Sequence, residues 1–305
     1  MIKTKTLFIL GAGASKPFGY PTGVELHDLI CSHRNIGIIT EALTPVNEAK
    51  ATYEGYVEKF INEFSKSSVY SIDLFLEQRT EFMDIGKMAI ATYLIQCERD
   101  ERLRQIDGNW YMYLFDRLKS SFDDFEKNAI AFITFNYDRS LEQFSFEALR
   151  NRFGKSHFEC SQKLKNIKML HLYGQLDPLP WQSENDNGFS YVNNLFIPRI
   201  KNAQVNLKLI NDERHIEESK EFNQAFELIQ WAEHIYFLGF SFDETNLRRL
   251  NIQLMKGKYI IGTSLDLEST KVTWTKKFFR SMTGDSIQLL NTDVLTLLKE
   301  HLHYE

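Results

Sequence analysis

Cysteine is scarce and scattered in this chain. Cys31, Cys97 and Cys160 form no Cys-x-x-Cys pair, so neither a disulfide framework nor a structural zinc site is indicated. Proline is scarce too, with 6 in 305 residues, and a chain that is 43% hydrophobic and 13% aromatic leaves little room for long disordered linkers. No run reaches the ~20 apolar residues of a membrane span. An excess of basic charge is also missing. The 36 Lys and Arg against 41 Asp and Glu give a net charge of -5, which supplies no general attraction to nucleic acid. Local basic runs such as Lys163-Leu164-Lys165-Asn166-Ile167-Lys168 then read as solvated faces. Lys3 and Lys5 ahead of Leu7–Leu10 and Ala12-Gly13-Ala14 imitate a secretory leader, but the apolar stretch is short and glycine interrupts it. The expected location is the cytoplasm.

Two strand exits are the most informative features present. Thr6-Leu7-Phe8-Ile9-Leu10 runs straight into Gly11-Ala12-Gly13-Ala14-Ser15, where small residues let backbone amides approach a phosphate. Ala129-Ile130-Ala131-Phe132-Ile133 runs into Thr134-Phe135-Asn136-Tyr137-Asp138, which sets a carboxamide and a carboxylate at a strand's end. Ligands of open α/β sheets collect at the carboxyl ends of parallel strands, so polar side chains there are placed for chemistry rather than for core packing.

The pattern between and after these exits defines the organisation. Gly23–His33 reads as a short helix, and the stretch from about 35 to 127 carries helical spacing with little strand signal. Its apolar sets are Val57-Phe60-Ile61-Phe64, Met88-Ile90-Ala91-Leu94-Ile95 and Trp110-Tyr111-Leu114-Phe115-Leu118. Strand and helix then alternate: strand Ile130–Phe135, helix Ser140–Arg152, strand Ile167–Tyr173, helix Glu221–Trp231, strand Ile235–Leu238, helix Asn246–Met255, strand Tyr259–Ile261, a helix near Thr275 and a closing helix Val294–Leu302. This order predicts an α/β fold, a doubly wound, mostly parallel Rossmann-like sheet. The whole of 1–305 reads as one domain with a helical insertion at about 35–127. The charge run Asn211–Glu218 reads as a solvated loop or helix start.

Gly11-Ala12-Gly13 alone is a weak signal, because Lys16 replaces the third glycine of the dinucleotide fingerprint. It is followed, however, by Gly19-Tyr20-Pro21-Thr22-Gly23, then by the Asn136 segment, His171-Leu172-Tyr173-Gly174 and Leu238-Gly239-Phe240-Ser241. This ordered set resembles the sirtuin-like family over most of the chain outside the insertion. The longer Gly-Ile-Pro-Asp-Phe-Arg segment of true sirtuins and their four-cysteine zinc module are lacking, and the chain looks more like the bacterial sirtuin-like proteins of anti-phage defence, which hydrolyse NAD. The resemblance implies NAD as substrate with no metal. It implies a dinucleotide site drawn from Gly11, Ala12, Gly13, Ser15, Thr22, Tyr137, Tyr173, Gly239, Ser241 and Asn246. Gly262-Thr263-Ser264-Leu265 imitates an adenosine-contacting segment of the family, but one strand too late.

The residues themselves fit such chemistry. Nicotinamide leaves as a neutral base from a cationic nitrogen, so the site must stabilise an oxocarbenium-like sugar and position water rather than supply strong acid help. Asn136 offers donor and acceptor without adding charge. Asp138 is suited to stabilise positive charge or fix a ribose hydroxyl. His171 is the expected general base, ahead of Tyr173, because its ordinary pKa lies near neutrality and that of tyrosine near 10. On a continuous strand the two share a face. The structural alternatives are a core histidine, a helix-capping Asn136 and a helix-capping Ser241. At the level of function the alternatives are an NAD or ADP-ribose sensor without turnover and a protein deacylase; a dehydrogenase fits least. Restraint of the activity is expected to come through the insertion, through a homo-oligomer with C2 contacts, or through a separately encoded partner, an ATPase or nucleic-acid-binding protein, since sheet and insertion account for nearly all of the chain.

Overall fold

The computed structural model describes residues 1–45, 48–183, 188–209 and 219–304, so the charge run Asn211–Glu218 lies outside the described residues. Six strands, β1 Thr6–Leu10, β2 Ile130–Thr134, β3 Lys168–His171, β4 His234–Leu238, β5 Tyr259–Thr263 and β6 Gln288–Leu290, form one sheet in the order β3-β2-β1-β4-β5-β6. Every pairing is parallel. The chain steps outward from β1 to β3, returns to the other side of β1, and steps outward again to β6. Right-handed crossovers in opposite directions send the connecting helices to both faces, which makes the sheet doubly wound. The point where the direction reverses is the crevice between β1 and β4.

The central strands are apolar apart from Thr6, Thr134 and His234 at their ends, because both of their faces are covered. Leu7, Phe8 and Ile9 of β1 and Ile235–Leu238 of β4 are completely buried. The Phe8 ring stacks on Phe132 of β2 at 5.2 Å and meets Tyr236 of β4 at 5.4 Å, which locks three strands in register. That register aligns Leu10, Thr134 and His171 across the sheet, with Leu238 on the far side of Leu10. The residues that follow therefore emerge together at one edge.

Between β1 and β2 the described residues contain helices and no strand, including Ile36–Leu43, Lys50–Lys66, Ile72–Gln78, Met83–Ile95 and Trp110–Arg117. Met83–Ile95 is buried nearly all round, as the central helix of a small bundle must be. Phe60, Phe64, Phe75 and Phe82 pack as an aromatic cluster beside it.

Two expected elements differ. The strand expected at Ile167–Tyr173 ends at His171: β3 is a partly exposed edge strand, and Gly174, at φ 74, turns the chain away. The helix expected at Asn246–Met255 is two pieces, Glu244–Arg249 and a 3-10 turn at Ile252–Met255, divided by Asn251 at φ 49, a left-handed conformation that asparagine tolerates. The structure also adds β6 and the helices His157–Leu164 and Ile197–Asn206.

Candidate active site

The glycine loop and the β4 exit meet at the reversal point. The Gly11 amide donates to the Leu238 carbonyl at 3.0 Å and the Gly13 amide to the Gly239 carbonyl at 3.0 Å. A Cβ on Gly11 would lie 2.6 Å from the Gly239 oxygen, and one on Gly239, at φ 58, would lie 2.0 Å from the Ala14 nitrogen. These glycines are thus required for the close approach of two backbones. Two of the amides expected to face a phosphate are spent on that contact. Thr263 of β5 supports it, its hydroxyl accepting from the Gly239 amide at 2.8 Å.

At the β2 exit Asn136 is pinned by its donors. Nδ2 donates to the Gly11 carbonyl at 2.9 Å and to Ser15 Oγ at 3.0 Å, and the Asn136 amide donates to Thr134 Oγ1. Ser15 Oγ in turn donates to Asp138 Oδ2 at 2.7 Å, while Asp138 Oδ1 accepts from the Ser140 amide and hydroxyl. The Asn136–Ser15–Asp138 chain leaves Asn136 Oδ1 as an acceptor without a hydrogen-bond partner among the described residues. Burial raises the pKa of Asp138, and the hydrogen bonds from Ser140 and Ser15 oppose that rise without cancelling it. Both Asp138 oxygens being committed, it positions Ser15 and the start of the next helix.

His171 meets this group from β3. Its Nδ1 lies 2.8 Å from the Asn136 carbonyl oxygen, which can only accept, so Nδ1 carries the proton; Nε2 lies 2.8 Å from Glu142 Oε1. The expected base role finds no free nitrogen here, since one is fixed as a donor and the other faces a carboxylate. In this arrangement His171 holds the Asn136 backbone. Burial opposes the imidazolium, but Glu142, the Asn136 carbonyl and Asp138 outweigh it and raise the pKa above the ordinary 6.5. Glu142 escaped the sequence reading because it resembles any polar residue in the first turn of a helix. It is 2% exposed, and its Oε2 is buried without a partner. Ser15, Asn136, Asp138, Glu142 and His171 together line a cavity of ≈ 10 Å³, room for about one water.

Tyr173 departs from His171 because it lies beyond the strand. Its hydroxyl donates to Asn246 Oδ1 at 2.9 Å and accepts from Arg249 Nη1 at 2.9 Å. Burial, moderated by Arg249, pushes its pKa up to about 12, which disqualifies it as a base near neutrality. Tyr137 is buried and its hydroxyl donates to Asp73 Oδ1 at 2.5 Å. Of the remaining expected residues, Ala12 lies in the short turn after β1, Ser241 is exposed, and Thr22 caps the helix Gly23–Cys31 in a reciprocal pair with Glu25. Asp243, not Ser241, caps the helix at Glu244.

Among the described residues no cluster of three or more His, Cys, Asp or Glu could hold a metal ion, and no helix is long and apolar enough to cross a membrane. Neither a protein-family model nor a curated protein matches the chain.

The raised His171 pKa has a definite sign. A folded pKa above the unfolded value contributes stability that is complete below about pH 6.5 and is lost as pH rises through the folded value. The stability difference between the wild type and His171→Gln is therefore expected to be largest below pH ~6.5 and to narrow above it, read from urea midpoints across a pH series. A constant difference would remove the Glu142 ion pair from the account.

Proposed function

We propose that this chain hydrolyses the nicotinamide–ribose bond of NAD, releasing nicotinamide and ADP-ribose. The observation that carries the reading is the state of Asn136. Its two N–H groups are tied to the glycine loop while its acceptor oxygen stays open, at the carboxyl edge of a sheet whose order reverses beside it. An uncharged, pre-oriented acceptor suits a ribose hydroxyl or the attacking water next to a developing oxocarbenium ion. Ser15 and Asp138 hold the Asn136 side chain, and His171 holds its carbonyl. Nicotinamide release from NAD incubated with the purified chain tests the reading, and no release under any condition would overturn it.

A positioning His171 and a basic one predict different pH profiles. We expect kcat to stay level or fall as pH rises through the His171 pKa, because deprotonation loosens the pair with Glu142. A rate that climbs through that value would restore the base assignment.

A second reading, an NAD or ADP-ribose sensor without turnover, is favoured by His171, whose two nitrogens face the Asn136 carbonyl and Glu142 and leave no free general base in this group. Deacylation has no comparable support. The wider proposal is a cytoplasmic effector that depletes NAD in anti-phage defence. Such an activity would harm its own cell unless restrained, and we place the restraint in a C2 homo-oligomer or a separately encoded ATPase or nucleic-acid-binding partner. Light scattering and turnover over a concentration series would reveal the first, and a fully active monomer indifferent to any partner would exclude both.

A further inference from the structure

A second polar cluster lies beyond the Asn136 group, and half of it comes from the insertion. On the helix Ile72–Gln78 the apolar residues Ile72, Phe75 and Leu76 are buried, Phe75 against Phe60, Phe64 and Phe82. Asp73 and Glu77, four residues apart, share another face. Asp73 accepts from Tyr137 at the β2 exit. Glu77 Oε1 accepts from Nη1 and Nη2 of Arg249, both at 3.1 Å, and Arg249 also donates to Tyr173 after β3. The insertion is thus joined to the exits of β2, β3 and β4 by carboxylates.

Arg249 is poorly served by this arrangement. A guanidinium has five N–H donors in a planar fork that matches two oxygens of a carboxylate or phosphate. Here both terminal nitrogens converge on one Glu77 oxygen, and Nε is buried without a partner. The residue is 8% exposed, so its buried charge needs an anion facing it. Burial works against its charged form, and Tyr173 and Glu77 more than reverse the effect. A diphosphate offers several acceptor oxygens where Glu77 offers one. Its negative charge is also incompatible with Glu77 and Asp73 in the same space, so the two occupants exclude each other.

We propose that Arg249 is the anchor for the substrate's diphosphate and that Glu77 is its internal substitute, so that the helix Ile72–Gln78 latches the crevice shut until a nucleoside diphosphate group displaces it. The proposal rests on the dinucleotide reading of the site, and it assigns the closed cavity beside Asn136 to a latched state. The polar character of the contact matters, because ion pairs with a spare donor are exchanged for a ligand more readily than a packed apolar interface.

ADP, which carries the diphosphate without the scissile bond, is the probe. Titration calorimetry with the full chain is expected to give roughly tenfold tighter ADP binding for Glu77→Gln than for wild type, a typical coupling between competing states. Asp73→Asn should shift binding in the same direction. Adding Arg249→Gln to Glu77→Gln should abolish the gain, and ADP should speed hydrogen exchange across 72–78 in the wild type. Equal affinity in wild type and Glu77→Gln, a gain that survives loss of Arg249, or no ADP binding by any variant would each overturn the latch. Nicotinamide release by the same proteins separates the two ideas. The ADP pattern without NAD turnover keeps the latch and removes the hydrolase, whereas NAD turnover with identical KM in wild type and Glu77→Gln does the reverse.

Discussion

Replacing Asn136 with alanine is expected to lower nicotinamide release by ~10²–10³-fold, the usual loss when one pre-oriented transition-state contact is removed. The side chain has two separable functions. Nδ2 ties the β2 exit to Gly11 and Ser15, and Oδ1 is the open acceptor. Alanine deletes both, so part of the effect is structural, on the order of 1 kcal/mol for the lost hydrogen bonds. Asn136→Asp separates them, because it keeps an acceptor but loses the donors to the Gly11 carbonyl and Ser15. Measured kcat and KM for both variants, with urea midpoints alongside, distinguish catalysis from packing. A loss confined to kcat in a folded Asn136→Ala protein supports the acceptor role. Unchanged turnover in that variant would remove Asn136 from the mechanism.

The parts of the fold that were legible in the sequence are those whose signal is local. β1, β2, β4 and β5 are short apolar runs that end at glycine or polar residues, and their length and those flanks separate them from buried helix segments. β6 is three residues long with Gln288 exposed, too short for any periodicity to register. The expected strand runs past the end of β3 because Leu172 and Tyr173 continue its apolar pattern, while the turn at Gly174 depends on a left-handed conformation that glycine permits but does not announce.

The site divides along the same line. Asn136, Asp138 and Ser15 are singled out by their positions at strand exits and His171 by its order after Asn136, and the sheet register, which aligns Leu10, Thr134 and His171, brings these segments side by side. Their partners were not. Glu142, Glu77 and Arg249 sit on helices among other charged residues, where a solvated face is the default expectation, and only long-range packing distinguishes them. His171 reads differently in sequence and in structure for the same reason, since the partners of its two nitrogens, the Asn136 carbonyl and Glu142, are set by long-range packing. Gly11 and Gly13 were recognised as a close-approach site, but the approaching group is the Gly239 backbone.

The largest loss of stability is expected from Glu98→Ala. Glu98 belongs to the insertion and is completely buried between two arginines. Arg139 reaches it with Nε at 2.7 Å and Nη2 at 2.9 Å, and Arg199 donates to its second oxygen. Arg199 also lies 3.5 Å from Asp177, which closes a group of two cations and two anions. Arg139 spends its other donors on the carbonyls of Asp177, Pro178, Phe189 and Ser190, so the cluster ties the insertion, the residue after Asp138 and the segment following β3 into one unit. Removing the central carboxylate strands two guanidiniums without water, and breaking a buried pair in this way costs about 3–5 kcal/mol, a large share of a domain's total stability. Glu244, whose pair with Arg248 is exposed on both sides, is the internal comparison: Glu244→Ala should change stability by no more than about 0.5 kcal/mol. Urea midpoints with unchanged slopes give both values. Because Arg139 adjoins Asp138, a folded remnant of Glu98→Ala at low temperature should also lose nicotinamide release, without touching any group that faces the substrate. A Glu98→Ala protein as stable as Glu244→Ala would mean that the guanidiniums find other partners and that the insertion is held to the sheet without this cluster.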